Sequence, residues 1–347
     1  MGAISLATAD TAVLTQALDA AARDERGRSD AGLAISGEAQ GFVAHGGALL
    51  YRPVGRRWVS ITSPLGALEA RRAAMTAFRD AARASHRRAV FHDLRPDDVA
   101  FARSLGLRVE KIGEAAELDL ATFSLRGNKR EALRRNYKKL VKANARFEVL
   151  PAEAVAAHLA DLEAVSEAWL TARGRELGGT LGRFDPDYLT RTPVACVWVD
   201  DRMVGFASVW LSPDGQAASM DLMRRRPDAP MGAMDFLFVE LIGWTAARGC
   251  QRFDLGLAPL AGLQGETGAF ARLGATIFEH GEAIYNFQGV RQFKNKFAPA
   301  WSPRYLAFDG GLGRGVMTLL DLARLGAGGW TALAARFKMR LARRSVA

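Results

Sequence analysis

The run from Val194 to Arg225, VACVWVDDRMVGFASVWLSPDGQAASMDLMRR, leaves this chain less folding freedom than any other segment. Three stretches rich in β-branched and aromatic residues are separated by the turn formers Asp200-Asp201 and Pro213-Asp214-Gly215. That spacing predicts three antiparallel strands in a meander. An apolar helix is expected next, over 232–249, with Gly249 closing it. A meander that empties into a helix needs that helix to cover one sheet face, which excludes an all-helical fold.

The rest of the chain repeats this grammar. Residues 12–25 and 66–85 have helical periodicity, and GFVAHGGALLYRPVGRRWVSITSP between them reads as strands broken by Gly and Pro. AVFHDL (strand), PDDVAFARSLG (short helix) and LRVEKIGEAAELDL (strand) complete a mixed α/β unit ending near Leu120. A second unit opens with the strand FEVL near Phe147. It continues with a helix over 151–174, its apolar stripe made of Leu159, Leu162, Val165 and Trp169, and then a polar loop, GRELGGTLGRFDPDYL. After the meander and helix come the strand RFDLGLAPL and the short helix AFARLG. Both halves run helix, antiparallel strands, long helix, strand, helix, strand, which reads as a duplication of architecture without a sequence repeat. The fold class is α/β (α+β). The expected divisions are an N-terminal unit at 1–125, a basic linking helix at 126–146, a second unit at 147–310 and a basic amphipathic tail at 311–347.

A length of 347 residues suits two domains. The net charge of +10, from 47 Lys and Arg against 37 Asp and Glu, points to anionic partners such as nucleic acid or acidic lipid headgroups. Free use of Arg by a GC-rich genome would give a similar surplus. Cys196 and Cys250 form no CxxC pair and are expected as reduced core residues. His45, His86, His92, His158 and His280 show no metal-binding spacing, so neither a metal nor any other cofactor is expected. No apolar run reaches the roughly 18 residues of a spanning helix, and no signal peptide is present, so a soluble chain is expected.

Between the units, RGNKREALRRNYKKLVKANAR carries Arg126, Lys129, Arg130, Arg134, Arg135, Lys138, Lys139, Lys142 and Arg146 against one acid, Glu131. Asn128 and Glu131 have capping-box spacing, and Leu133, Tyr137, Leu140 and Val141 form a stripe that can dock on a core. Charge runs are usually solvated faces of mixed sign. This one is single-signed and costs stability by repulsion, which favours contact with a phosphate backbone, read by shape rather than by base sequence.

SMDLMRRRPDAPMGAMDFLF (219–238) sets a strand with Asp221 and Arg224 ahead of a Pro- and Gly-containing turn and a helix N-terminus. Such a turn aims free N–H groups at a ligand. Acyltransferases of the N-acetyltransferase superfamily hold an acyl donor this way, but RPDAPMGA echoes their loop loosely and with two extra residues, so the donor need not be acyl-coenzyme A. Asp221 and Arg224 would face opposite ways on a regular strand, and a bulge or strand end would turn both into one cleft. An exposed ion pair is the alternative reading.

GEAIYNFQGVRQFKNKFAPAWSPRYLAF (281–308) places Glu282, Tyr285, Arg291, Lys294 and Lys296 among aromatics. Together with WLTARGRELGGTLGRFD (169–185), FDLGLAPLAG (253–262) and the 219–238 stretch, it makes four ordered motifs. With these, the sequence resembles the cytosolic catalytic domain of bacterial phosphatidylglycerol aminoacyltransferases, the multiple peptide resistance factor family. The resemblance covers most of 120–308 and is weaker before that.

The resemblance implies two tandem acetyltransferase-like folds joined by the basic helix. It also implies transfer of an aminoacyl group, lysyl first and alanyl next, from aminoacyl-tRNA to phosphatidylglycerol at an anionic membrane surface, the cytoplasmic face of the bacterial inner membrane. This lowers negative membrane charge and gives resistance to cationic antimicrobial peptides. Members usually carry a membrane domain ahead of this one, so the chain is expected to be an excised domain or a soluble form. By the same resemblance Asp221, Arg224 and Lys296 are the catalytic candidates. Asp221 would orient or deprotonate the lipid hydroxyl or hold the donor's ammonium, Arg224 would bind a phosphate, and Lys296 would stabilise the tetrahedral intermediate. Glu176, Arg183, Asp254, Glu282, Tyr285, Arg291 and Lys294 are the candidate substrate-binding residues. The basic-helix residues Arg126 to Lys142 are the tRNA track, and the tail, with Trp330 and Phe337, lies on a bilayer or docks on the core. The rivals are a peptidoglycan-precursor aminoacyltransferase, a non-catalytic RNA-binding module and a coenzyme A-dependent acetyltransferase.

Overall fold

The computed structural model describes residues 11–173, 182–264, 266, 268, 270, 272, 287–311, 313–318 and 321. The meander forms as expected: β7 (Val194–Val199), β8 (Arg202–Leu211) and β9 (Ala217–Arg225) pair antiparallel in series. The first turn is tight because Asp200 and Asp201 both accept positive φ, 50° and 55°, as a two-residue hairpin demands. β8 is buried at every residue except its ends, so layers cover both faces of the sheet there.

One layer is α8 (Ala233–Ala247), whose Phe236, Leu237, Leu241 and Ile242 pack on the sheet and beneath α4 (Glu131–Lys142). Gly249, at φ 86°, ends α8, with the Cys250 N–H returning to the Thr245 carbonyl. The opposite layer is α6 (Leu159–Arg173), with Leu162 and Val165 buried against Phe206, Trp210 and Leu222. The helix expected over 151–174 is in fact broken. A short α5 (Ala152–Val155) and a 3-10 turn at Ala156–His158 precede α6.

Among the described residues, the remaining strands join this meander in one eleven-stranded sheet. They are β1 (Gln40–Ala44), β2 (Gly47–Val54), β3 (Arg57–Ser60), β4 (Arg88–Leu94), β5 (Arg108–Asp119), β6 (Arg146–Leu150), β10 (Arg252–Pro259) and β11 (Ala300–Phe308). Their order is β1-β2-β3-β4-β11-β5-β10-β9-β8-β7-β6. β11, last in the chain, lies between β4 and β5 and pairs with both antiparallel. α2 (Leu68–Ala84) covers β1, β2 and β4 through Met75 and Phe78.

The 3-10 segment Ser29–Ala34 crosses onto β8 and β9, where the Trp210 ring rests so closely on Gly32 that any Cβ there would overlap it. Just before it, Arg26, Arg28 and Arg71 interlock with Asp24, Asp30 and Asp98. The fully buried Arg28 also donates to the Ser63 and Pro64 carbonyls. Three cations against three anions leave this interior network neutral, as burial requires.

The basic helix is shorter than expected. α4 starts at Glu131, and no side chain caps it. Asn128 opens a 3-10 turn after Gly127 at φ 91°, and the N-cap position falls to Arg130, whose guanidinium reaches the Ser124 and Phe297 carbonyls. Arg146 belongs to β6. Leu133 and Leu140 dock on the core, worth about 1.5–3 kcal/mol each, while Val141 is exposed.

Among the described residues no helix is long and apolar enough to cross a membrane. No group of three or more His, Cys, Asp or Glu side chains among them is placed to hold a metal ion. The tail beyond Asp321, with Trp330 and Phe337, and most of the AFARLG segment lie outside the described residues. At its start the tail meets the sheet through an ion pair between Asp321 and Arg57.

Candidate active site at the β9 bulge

Along β9 the pairing with β8 steps from Met223↔Ala207 to Met220↔Val209, so Asp221 and Leu222 together oppose Ser208. This is a β-bulge, and the extra residue changes which way the strand presents its side chains. Ser219 opposite Trp210, then Asp221, Leu222 and finally Arg224 opposite Phe206 all come to the face covered by α6. Met220 packs into the opposite layer. A regular strand would put Asp221 and Arg224 on opposite faces, and the bulge puts them on one.

The bulge is held by a buried chain of polar groups. The Leu222 N–H donates to Ser208 Oγ at 3.0 Å. Ser208 Oγ lies 3.0 Å from the Tyr188 hydroxyl, and Trp210 Nε1 donates to that hydroxyl at 2.8 Å. Tyr188 reaches the sheet from α7 (Pro186–Leu189), whose first turn is capped by the Asp185 carboxylate.

Asp221 is half-buried, and its Oδ2 has no hydrogen-bond partner among the described residues. Burial pushes its pKa up to about 6, against the Tyr188 hydroxyl and the Gly182 and Leu222 N–H groups, which favour the carboxylate, while the charge of Glu38 adds to the rise. Gly182 lies against this carboxyl so closely that a Cβ would overlap it. Arg224 is 3% exposed, and its Cζ sits 3.9 Å from the centroid of the Trp169 ring. A carboxyl that loses its proton near pH 6 can deprotonate a hydroxyl, and a ring-stacked guanidinium on the same face of the sheet can hold an anion.

The other candidates separate into groups. Asp254 stands next to this site, on β10, in register with Ser219 of β9 and Glu117 of β5. Its Oδ1 accepts the Gly256 N–H at 2.7 Å, across a bulge made possible by Gly256 at φ 82°. Lys294, on α9 (Phe287–Asn295), donates to the Gly256 and Leu257 carbonyls at 2.9 and 2.8 Å. Burial lowers its pKa to about 8, partly offset by Asp254 and Asp93. Arg291 instead braces β5, 2.8 Å from Glu114 and stacked on Trp301. Arg183 is exposed, one residue from Gly182. Glu176, Glu282 and Tyr285 lie outside the described residues.

The N-terminus of α8 is not an open anion seat. Asp235 in its first turn is 2% exposed, and both its oxygens bind Lys296 Nζ, at 3.0 and 3.1 Å. Asn136 Nδ2 donates to Asp235 Oδ2 at 2.6 Å. In the preceding loop Asp228 is paired with Arg202 and Arg226.

On α4, Arg130 and Arg134 are tied to backbone carbonyls. Arg126, Lys129, Arg135, Lys138, Lys139 and Lys142 are exposed. Arg134, Arg135, Lys138, Lys139 and Lys142 line one shallow groove with Glu131. Sequence reasoning missed the Tyr188–Ser208–Trp210 chain, and it read Trp169 as core. A serine at the centre of the apolar run GFASVWL was the available signal.

Comparison with known proteins identifies the family. A family described as phosphatidylglycerol lysyltransferase, C-terminal, matches residues 20–308. The phosphatidylglycerol lysyltransferase of Bacillus subtilis is 34% identical over 77% of this chain and 32% of its own length. That of Staphylococcus aureus strain MSSA476 is 28% identical over 80% and 33%. The chain therefore spans about a third of the length of these curated relatives.

Among solved structures, the C-terminal domain of a protein designated a lysylphosphatidylglycerol synthetase from Agrobacterium fabrum superposes with TM-score 0.81. It is 34% identical, covering 93% of this chain and 99% of that one. L-PGS from Bacillus licheniformis gives 0.75 at 29% identity, covering 91% and 95%. FemX, at 11% identity and 0.51, shares the fold alone. By its sequence, its eleven-stranded fold and its match across 20–308, the chain belongs to the phosphatidylglycerol lysyltransferase C-terminal family.

Proposed function

We propose that this chain transfers an aminoacyl group, lysyl before alanyl, from aminoacyl-tRNA to a glycerol hydroxyl of phosphatidylglycerol. The observation that carries the reading is the β9 bulge, which sets the Asp221 carboxyl and the Arg224 guanidinium on one face of the sheet. The names of the relatives support the lipid as acceptor.

In this reading Asp221, ionised above about pH 6, takes the proton of the lipid hydroxyl as its oxygen attacks the ester carbonyl carbon. The tetrahedral intermediate collapses by breaking the bond to the ribose oxygen, which leaves with the proton. Arg224, stacked on Trp169, holds the lipid phosphate. Lys296 contributes positive charge towards the intermediate, with Asp235 as its resting partner. The ester is already activated, so positioning supplies the remaining rate enhancement.

The exposed lysines and arginines of α4 form the tRNA track between two acetyltransferase-like units. The natural setting is the cytoplasmic face of an anionic membrane. There lysyl transfer adds positive charge to an anionic lipid and lowers the affinity for cationic antimicrobial peptides. The test is to incubate the chain with labelled lysyl-tRNA and vesicles of phosphatidylglycerol or of phosphatidylcholine. Label in the lipid extract of the first alone supports the reading. None in either, with tRNA binding intact, overturns it in favour of a peptidoglycan-precursor transferase or a binding module.

A further inference from the structure

Beneath its charged outer face, α4 grips the segment that carries Lys296 at two points. At the start of the helix, Arg130 donates from Nε and Nη2 to the Phe297 carbonyl, at 3.2 and 3.0 Å. Further along, Asn136 Nδ2 donates to Asp235 Oδ2 at 2.6 Å. A carboxylate only accepts, so the amide must present its nitrogen here. Asp235 is 2% exposed, and both its oxygens hold Lys296 Nζ, at 3.0 and 3.1 Å. The ammonium also lies 4.9 Å from the centroid of the Phe293 ring. An acid in the first turn of a helix ordinarily serves that helix's own free N–H groups. Among the described residues no backbone N–H donates to Asp235, and its oxygens serve Lys296 and Asn136 instead. Nor does α4 need Asn136 to dock. Leu133 and Leu140 are buried in the core, and Tyr137 stacks on Phe236 and donates to Glu240 at 2.6 Å. Asn136 is itself fixed from the loop before α8, where any Cβ on Gly232 would overlap it.

We infer that Asn136 and Asp235 are positioning residues for Lys296, fixing its ammonium at a set place relative to the helix that carries the donor tRNA. The inference rests on the reading above, in which Lys296 acts on the tetrahedral intermediate and α4 carries the tRNA. It makes α4 a support of the site as well as a track towards it. A free lysine stem visits many rotamers. Contact with both oxygens of a buried carboxylate, itself held from behind by an amide, restricts that freedom. An ester delivered along α4 then meets an ammonium already in place. The neutrality of Asn136 matters, because a cation at this position would compete with Lys296 for the carboxylate.

The test measures single-turnover transfer from saturating lysyl-tRNA to phosphatidylglycerol vesicles in the wild type, Asn136→Ala and Tyr137→Phe, and repeats Asn136→Ala in a Lys296→Ala background. Asn136→Ala is expected to lose about 10-fold in rate, the range of one hydrogen bond to a charged group, with tRNA affinity by filter binding unchanged. Tyr137→Phe removes an equally short tie between α4 and α8 that does not lead to Lys296, and it is expected to keep the wild-type rate. Once Lys296 is replaced, Asn136→Ala should cost nothing more. Equal losses in Asn136→Ala and Tyr137→Phe, or a loss that persists in full without Lys296, overturn the inference and leave the reaction standing. A second readout needs no turnover. Peptide mass spectrometry follows acetylation of Lys296 by an N-hydroxysuccinimide ester in the wild type, Asn136→Ala and Asp235→Asn, the last keeping the side-chain shape and removing the charge. Labelling is expected to be about 10-fold faster in Asp235→Asn and faster than wild type in Asn136→Ala. Faster labelling in both variants, in a chain that transfers nothing, overturns the reaction and leaves the positioning standing. Labelling at the wild-type rate in both overturns the positioning outright.

Discussion

The ring of Trp169, on α6, lies under the guanidinium of Arg224, on β9, at 3.9 Å from Cζ to centroid. The contact joins a helix to the sheet at the place where the bulge ends. It sets the plane of the guanidinium over the ring. A desolvated cation–π contact contributes about 2 kcal/mol. Trp169→Ala is therefore expected to raise the KM for phosphatidylglycerol by about 10- to 30-fold with a smaller effect on kcat, and Trp169→Phe to recover most of it. Kinetics at varied lipid fraction in mixed vesicles would measure both.

Asp221→Asn separates activity from stability. The folded-state pKa of Asp221 is raised from 3.8 to about 6, so between those values the folded chain keeps a proton that the unfolded chain has released. Stability therefore falls as pH rises across that window, and the cost is complete above it. Asparagine carries no such cost. The variant is expected to equal the wild type near pH 3.5 and to exceed it by about 1–3 kcal/mol at pH 7.5, while losing about 10²- to 10⁴-fold in transfer rate. Denaturant unfolding at the two pH values checks the first part.

Gly182→Ala places a methyl group against the Asp221 carboxyl. The loop or the carboxyl must then move, and a displacement near 1 Å at a reacting group costs about 10²-fold in rate. Unfolding should be little altered, since Gly182 lies at the edge of the core.

Lys138, Lys139 and Lys142 are exposed on α4. Replacing all three with alanine is expected to lower tRNA affinity. It should also reduce the salt dependence of binding by about one slope unit for each phosphate that is no longer neutralised. Transfer at saturating tRNA should be unchanged. Filter binding between low and moderate salt gives the slope.

Much of the fold could be read from the chain itself. Turn residues such as Asp200-Asp201 and Gly249 mark element ends by local backbone preference, and the β-branched and aromatic runs between turns along 194–225 mark the strands. The insertion of β11 between β4 and β5 was not legible, because strand order depends on long-range pairing and leaves no local trace. The helix expected over 151–174 breaks near His158 under tertiary packing that periodicity cannot anticipate. At the site, Asp221 and Arg224 stand out in the sequence, but their placement on one face depends on a bulge no pattern announces. Trp169 looks like core because apolar stripes and cation-stacking rings have the same spacing.

The most direct test of the mechanism is the single-turnover rate of transfer from lysyl-tRNA to phosphatidylglycerol vesicles between pH 5 and 8, for the wild type and Asp221→Asn. With Asp221 as the base, the wild-type rate should climb about tenfold per pH unit below its inflection. The inflection should fall near about 6, the pKa of Asp221, with a plateau beyond it, and be missing from the much slower variant. A variant that keeps both the rate and the inflection would contradict it.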